Sequence, residues 1–209
     1  MARFLDTRYY RPGERIFDAD EPADRLYFIE CGIVAITAES AEGEEHILDV
    51  ITPGLVFGEP FLSKDNRRTV TAQSLTPATV RTMGAEAFMS LLGSLPNLCL
   101  SLVRHLMDLQ RRTVGRLNAQ MQKDRGVRVL AVLLDLAQRC GQRMGDDYAL
   151  PAELTQAELA RVIGLNRSTV SLLLNDYRRT GVLGGRGSVV VIHAAPAEAL
   201  LRKAGALLS

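Results

Sequence analysis

The sequence predicts an α+β fold in three parts: an N-terminal all-β unit of sandwich or jelly-roll type, one long helix, and a C-terminal winged helix-turn-helix. Three observations carry this. Between residues 11 and 83, short stretches rich in β-branched and aromatic residues are punctuated by Gly13, Gly32, Gly43 and Pro53-Gly54, the rhythm of many short strands. From Asn97 to about Lys123 there is no proline, the only glycine is Gly115, and leucines recur three or four residues apart, a helical period. From Thr155 to Ile192, two capped apolar-periodic segments flank Gly164 and lead into a glycine-rich hairpin.

The bulk numbers narrow the function classes. At 209 residues the chain has room for one or two domains, and 47% hydrophobic with 23% charged residues allows both a core and solubility. The net charge of +1 hides an asymmetry: residues 1–122 carry 13 Lys/Arg against 16 Asp/Glu, or −3, and residues 123–209 carry 12 against 8, or +4. A mildly acidic front and a basic back suit a sensor joined to a reader of nucleic acid. Met1 to Tyr10 has no apolar signal core, and no apolar run approaches the ~20 residues of a membrane span. Cys31, Cys99 and Cys140 are odd in number and far apart, as expected of buried thiols in a reducing compartment rather than a disulfide frame or metal site. A cytoplasmic chain without a membrane segment is therefore expected. An enzyme is not: His-Glu-x-x-His, Gly-x-Ser-x-Gly, a Walker loop and Cys-x-x-Cys are all missing.

Strands are expected at Leu26 to Glu30, Ile33 to Thr37, His46 to Ile51, Thr69 to Leu75 and Ala78 to Met83, with a short helix over Ala85 to Leu92 closing the unit. In the long helix, Leu98, Leu102, Leu106, Leu109 and Leu117 make a stripe interrupted by Gln110 and Thr113. About 25 residues at 1.5 Å each give a helix of about 38 Å, whose stripe could pack on the β unit, on a second copy of itself, or on both; the spacing favours a second copy. Another helix is expected over Gln122 to Gly141, followed by a polar loop from Gln142 to Tyr148.

The most informative segment begins at Thr155. Thr155 and Glu158 have the spacing of a capping box, and Leu159, Val162 and Ile163 give the first helix its buried face. Gly164 stands where the chain turns, Asn166 caps the next helix, and Val170, Leu173 and Leu174 bury its inner side. Its outer face opens with Arg167, Ser168, Thr169 and Ser171, small and basic side chains able to enter the major groove of duplex DNA. Arg167 is the candidate for a guanine edge. Gly181 to Ile192 reads as a hairpin wing turning at Gly184-Gly185-Arg186-Gly187, with Arg186 offered to a phosphate. Thr155 and Gln156 complete the expected DNA-contacting set.

The order of these features resembles the Crp/Fnr family, the cyclic-AMP-receptor type of bacterial regulator, over nearly the whole chain. Pro12-Gly13-Glu14-Arg15-Ile16-Phe17 is similar to the family's opening turn and strand, Leu26-Tyr27-Phe28-Ile29-Glu30-Cys31-Gly32 to its second strand, and Pro53-Gly54 with Phe57-Gly58-Glu59 to the start of its phosphate-binding cassette. The resemblance implies a jelly roll over residues 1–95, a dimerisation helix over 96–123 and a winged helix over 124–209. It also implies an effector, cyclic AMP or a similar cyclic nucleotide, in the barrel. Glu59 would hold the ribose, Arg68 the cyclic phosphate, Thr69 would add a hydroxyl, Gly58 belongs to the cassette, and Thr113 would face the base.

The sequence departs from the family at Pro60 and Arg67 in the cassette, at Val114 beside Thr113, and at Ser168 and Leu172 in the reading helix, where the cyclic-AMP-receptor type has Glu and a second Arg. The cassette departures leave open an effector-independent regulator with Arg68 bridged to Glu59 in an empty barrel. A nucleotide-binding signalling module acting on a protein would explain residues 1–95 but not the reader. With no cysteine before Cys31 an iron–sulfur cluster is not expected, nor is another metal; His46 and His105 make a weak case for heme. The expected partners are duplex DNA and a second copy of the chain. RNA polymerase is a further candidate, through the loop from Gln142 to Tyr148.

Overall fold

The computed structural model of the chain describes residues 5–62, 66–185 and 189–206. It divides into two compact units, residues 1–108 and 109–209.

The first unit is a sandwich of two four-stranded antiparallel sheets. One runs β1(Asp6–Tyr10), β8(Ala78–Gly84), β3(Arg25–Cys31), β6(Val56–Phe57), and the other β2(Arg15–Phe17), β7(Thr71–Ser74), β4(Val34–Glu39), β5(Glu45–Ile51). Inward side chains alternate along the strands, as in β7, where Ala72 and Ser74 are buried and Thr71 and Gln73 are half-buried. Tyr10, Phe17, Tyr27, Ile29, Val34, Ile51, Phe57 and Val80 meet in one core, each large apolar side chain contributing about 1.5–3 kcal/mol by leaving water. The five strands expected from patterning are present with ends shifted by one or two residues. β1 and β6 were not expected: β1 sits at a sheet edge with four of five residues exposed, so its sequence carries no alternation, and β6 has two residues. The helix α1(Ala85–Ser94) buries Phe88 against Leu26 and Met83.

The helix α2(Pro96–Met121) runs for 26 residues, through the division between the units. Its expected leucine stripe is split. Leu98 and Leu102 pack against Leu26, Met83 and Phe88, whereas Leu100, Val103, Met107, Val114, Leu117 and Met121 are exposed. With Gln110, these last positions alternate steps of three and four, the heptad spacing of a helix that pairs.

In the second unit, α3(Arg125–Cys140) starts three residues later than expected because Asp124 caps it, accepting from Gly126 N at 2.7 Å and Val127 N at 3.3 Å. Val129, Leu130, Leu133, Leu134, Leu136 and Ala137 form its buried face. The polar loop expected from Gln142 to Tyr148 is instead a β-hairpin, β9(Gln142–Met144) and β10(Asp147–Ala149). Three-residue strands are too short to show a period; what forms them is pairing with the far end of the chain, Tyr148 against Ile192 and Ala149 against Val191. The resulting sheet runs β11(Leu183–Gly184), β12(Val191–Ile192), β10, β9 and packs against α3 and α5(Arg167–Arg179), with α4(Gln156–Ile163) lying against α5 and α6(Ala194–Lys203) against α3.

Candidate nucleic-acid interface and effector site

The helix pair α4–α5 is set by three local devices. The Thr155 hydroxyl accepts from Glu158 N at 3.3 Å while Thr155 N donates to the Glu158 carboxylate at 2.6 Å, a closed capping box. Gly164 ends α4 at φ 73°, the left-handed region where a Cβ is strained. Asn166 then starts α5, its Oδ1 accepting from Thr169 N at 2.8 Å and from the Ser168 hydroxyl at 2.9 Å.

Of the expected DNA-contacting residues, Thr155, Arg167 and Ser168 are exposed, and Gln156, Thr169 and Ser171 are half-buried. Arg167 and Ser168 open the outer side of α5, and Val170 and Leu174 hold its inner side in the core. Arg186 lies outside the described residues. Two residues on α5 gain a place that patterning did not give them. Leu172 stands out on the exposed side, 72% accessible. Arg178 donates to Asn175 Oδ1 at 3.2 Å and to the Val189 carbonyl at 3.3 Å, tying the helix to the strand-side of the wing. The second bond depends on a chain segment eleven residues away and has no sequence signature.

The four cassette residues share the first unit. Gly58 follows β6 at φ 89°, and a Cβ there would lie 2.7 Å from Tyr27 Cδ2 and 2.9 Å from the Arg25 carbonyl. Only glycine fits. Arg68 reaches the same carbonyl, donating from Nη2 at 3.2 Å, so Gly58 and Arg68 converge on the backbone of β3. Glu59 begins a 3-10 turn, Glu59–Leu62, and is half-buried; Thr69 is exposed. Thr113 belongs to the second unit, and its hydroxyl donates to the Leu109 carbonyl at 3.0 Å.

Arg68 is the unusual group. It is 1% exposed, its guanidinium lies 3.9 Å over the Phe17 ring and 5.2 Å from that of Tyr27, and its Nη1 has no hydrogen-bond partner. Among the described residues no ion pair joins it to Glu59 or any other carboxylate, so the bridge to Glu59 left open above is not formed. Burial pushes its pKa below the usual arginine range, partly offset by Tyr27, Asp24, Glu21 and Glu59, and a guanidinium remains cationic regardless. Stacking on aromatic rings offers about 0.5–2 kcal/mol, but it leaves the N–H unsatisfied at a cost of about 1–3 kcal/mol. The site can accept an anion. Among the described residues no group of three or more His, Cys, Asp or Glu is placed to hold a metal, and no single helix is long and apolar enough to cross a membrane.

A β sandwich with a buried arginine, joined in one chain to a winged helix-turn-helix, has the build of a DNA-binding regulator. Residues 7–94 match the cyclic nucleotide-binding domain and residues 127–197 the Crp-like helix-turn-helix domain. A CRP-like cAMP-activated global transcriptional regulator of Mycobacterium tuberculosis is 33% identical over 92% of this chain and 85% of its own length. The chain belongs to the Crp/Fnr family of DNA-binding transcription regulators. Among solved structures, FixK2 from Bradyrhizobium japonicum superposes with a TM-score of 0.81 at 23% identity, covering 94% of this chain and 96% of that one. The c-di-GMP responsive global regulator CLP of Xanthomonas campestris gives 0.68 at 25% identity, covering 91% and 94%.

Proposed function

We propose that this regulator binds specific duplex DNA as a homodimer in the cytoplasm and is gated by a cyclic nucleotide, cyclic AMP or a close relative, held in the N-terminal sandwich. The observation that carries the gating is Arg68: a buried cation with an unpartnered donor, beside a glycine that no other residue could replace. The residues present fit a phosphate. Arg68 would supply a charge-assisted bond to it, Glu59 would accept from a sugar hydroxyl, and Thr69 would donate its own; Thr113, on the long helix, is kept from the family resemblance as the contact to the base. The M. tuberculosis relative is named as cAMP-activated, whereas the X. campestris neighbour is named as responsive to c-di-GMP, so effector identity varies among proteins this similar.

Support for the homodimer comes from α2. Six apolar side chains at heptad spacing stand in water when the chain is alone, and a second α2 is the surface whose period matches. Two copies would present two reading helices, which suit half-sites ~34 Å apart, one turn of DNA. An effector that favours one arrangement of the two copies over another shifts the population toward the competent spacing by its differential affinity. An effector-independent regulator is the second reading. It draws on Phe17, whose ring already covers the Arg68 guanidinium at 3.9 Å.

Isothermal titration of the purified protein with cyclic AMP, cyclic GMP and cyclic di-GMP, repeated on Arg68→Ala, separates the two. Saturable binding of one nucleotide, lost in the variant, is expected. No heat from any of them, with a folded protein that still binds DNA, favours the second reading.

A further inference from the structure

We propose that Leu172 reads sequence, packing its side chain against the C5-methyl of a thymine in the major groove. This rests on the reading of α5 as the recognition helix and adds a specificity determinant to it.

The buried side of α5 is made by Val170 and Leu174, with Leu173 and Tyr177 half-buried. At about 100° per residue, Leu172 lies roughly 30° from the direction opposite that side. Ser168, four residues before it, and Asn175 and Arg179, three and seven after, share the same face, and all are exposed. Leu172 is therefore one aliphatic side chain, 72% accessible, among polar neighbours on the part of the helix that projects furthest from the core.

Its chemistry restricts what it can recognise. Leucine has no donor for a phosphate and none for the acceptors of guanine or adenine. Among the groups presented in the major groove, the apolar one is the thymine methyl. The neighbour one turn earlier is constrained too: the Ser168 hydroxyl donates to Asn166 Oδ1 at 2.9 Å, so its proton is occupied by the cap and its lone pairs alone face outward. Apolar contact from Leu172 thus complements the hydrogen bonding from Arg167. The two Cα positions are about 7.5 Å apart along the helix, which places the thymine within roughly two base-pair steps of the guanine opposite Arg167.

The test uses the intact protein, saturated with whichever nucleotide the calorimetric titration finds to bind, and a duplex site selected from random sequence under the same condition. Each thymine of the site is replaced in turn by deoxyuridine, which deletes the methyl and nothing else. For the wild type, one position in each half-site is expected to lose about fourfold in affinity on this change, the fold-change of one methyl returned to water. Leu172→Ala is expected to bind both duplexes equally, at the affinity the wild type shows for deoxyuridine. Discrimination that survives in Leu172→Ala overturns the proposal. So does a wild type that prefers its selected site over random duplex yet ignores every methyl, and then the recognition helix stands while the leucine contact falls. A wild type that selects no sequence at all overturns both.

Discussion

Arg68 concentrates the physical chemistry of the first unit in one side chain. An interior that holds a guanidinium over two aromatic rings, with one N–H unpartnered, is less stable than one holding an apolar chain of similar length. Arg68→Met is therefore expected to raise the stability of the unliganded protein, by about 1 kcal/mol once the lost stacking is subtracted, while abolishing nucleotide binding. Thermal melts with and without ligand read both. A fall in the unliganded melting temperature would mean that Arg68 is structural. In the second unit, Asp147 accepts from Ala194 N at 3.2 Å and sits 2.7 Å from His193 Nδ1. The hydrogen bond from His193, chiefly, holds its carboxyl below the usual aspartate range. A folded pKa below the unfolded value of about 3.9 means the contribution is present above pH ~4–5 and is lost as the pH falls through the lowered folded value. Acid unfolding of Asp147→Asn should accordingly be less steep below about pH 4 than that of the wild type. Arg68 was singled out by the family resemblance, which sets an arginine about nine residues after Glu59. Its burial was not, because Phe17 and Tyr27 come from other strands and reach it through long-range packing.

At the level of elements, local chemistry was most legible where each signal acts within four residues. Thr155 with Glu158, Gly164, and Asn166 do in the structure what their spacing predicts. Removing a cap is worth about 1 kcal/mol, so Thr155→Ala and Asn166→Ala should each lower the stability of the second unit by about that much. Asn166→Ala should in addition weaken specific DNA binding, since it also frees the Ser168 hydroxyl. Calorimetric melting with a parallel DNA titration checks both, and an unchanged melting temperature for either would contradict the assignment. Elements set by distant partners were not legible. The β9–β10 hairpin exists because the end of the chain pairs with it, and its composition resembles any polar loop. In α2 the leucines alone suggested one stripe, but the helix carries two adjacent apolar faces. Counting Val103, Met107, Val114 and Met121 reveals the second, and the fold shows that Leu98 and Leu102 belong to the first.

For the whole molecule, division into an N-terminal β unit and a C-terminal reader followed from composition and order alone, since strand rhythm, long helix and capped helix pair occupy separate stretches. Assembly is the property that no single chain displays. If the heptad face of α2 joins two copies, a charge at its centre should separate them. Met107→Glu is expected to sediment as a monomer where the wild type is a dimer, and to lose binding to a two-half-site duplex while keeping the fold of each unit. A dimeric variant would move the interface elsewhere. The claim that joins both units is linkage: a ligand that binds the sandwich must change the affinity of the reader by its differential affinity for the two states. The most direct measurement is the affinity of the protein for its selected duplex, by fluorescence anisotropy at fixed salt, with and without the nucleotide identified by calorimetry. The nucleotide is expected to shift this affinity at least tenfold in the wild type, within the usual range of coupling free energies, and not at all in Arg68→Ala. Equal affinity in both conditions, from a wild type saturated with nucleotide, would contradict the linkage.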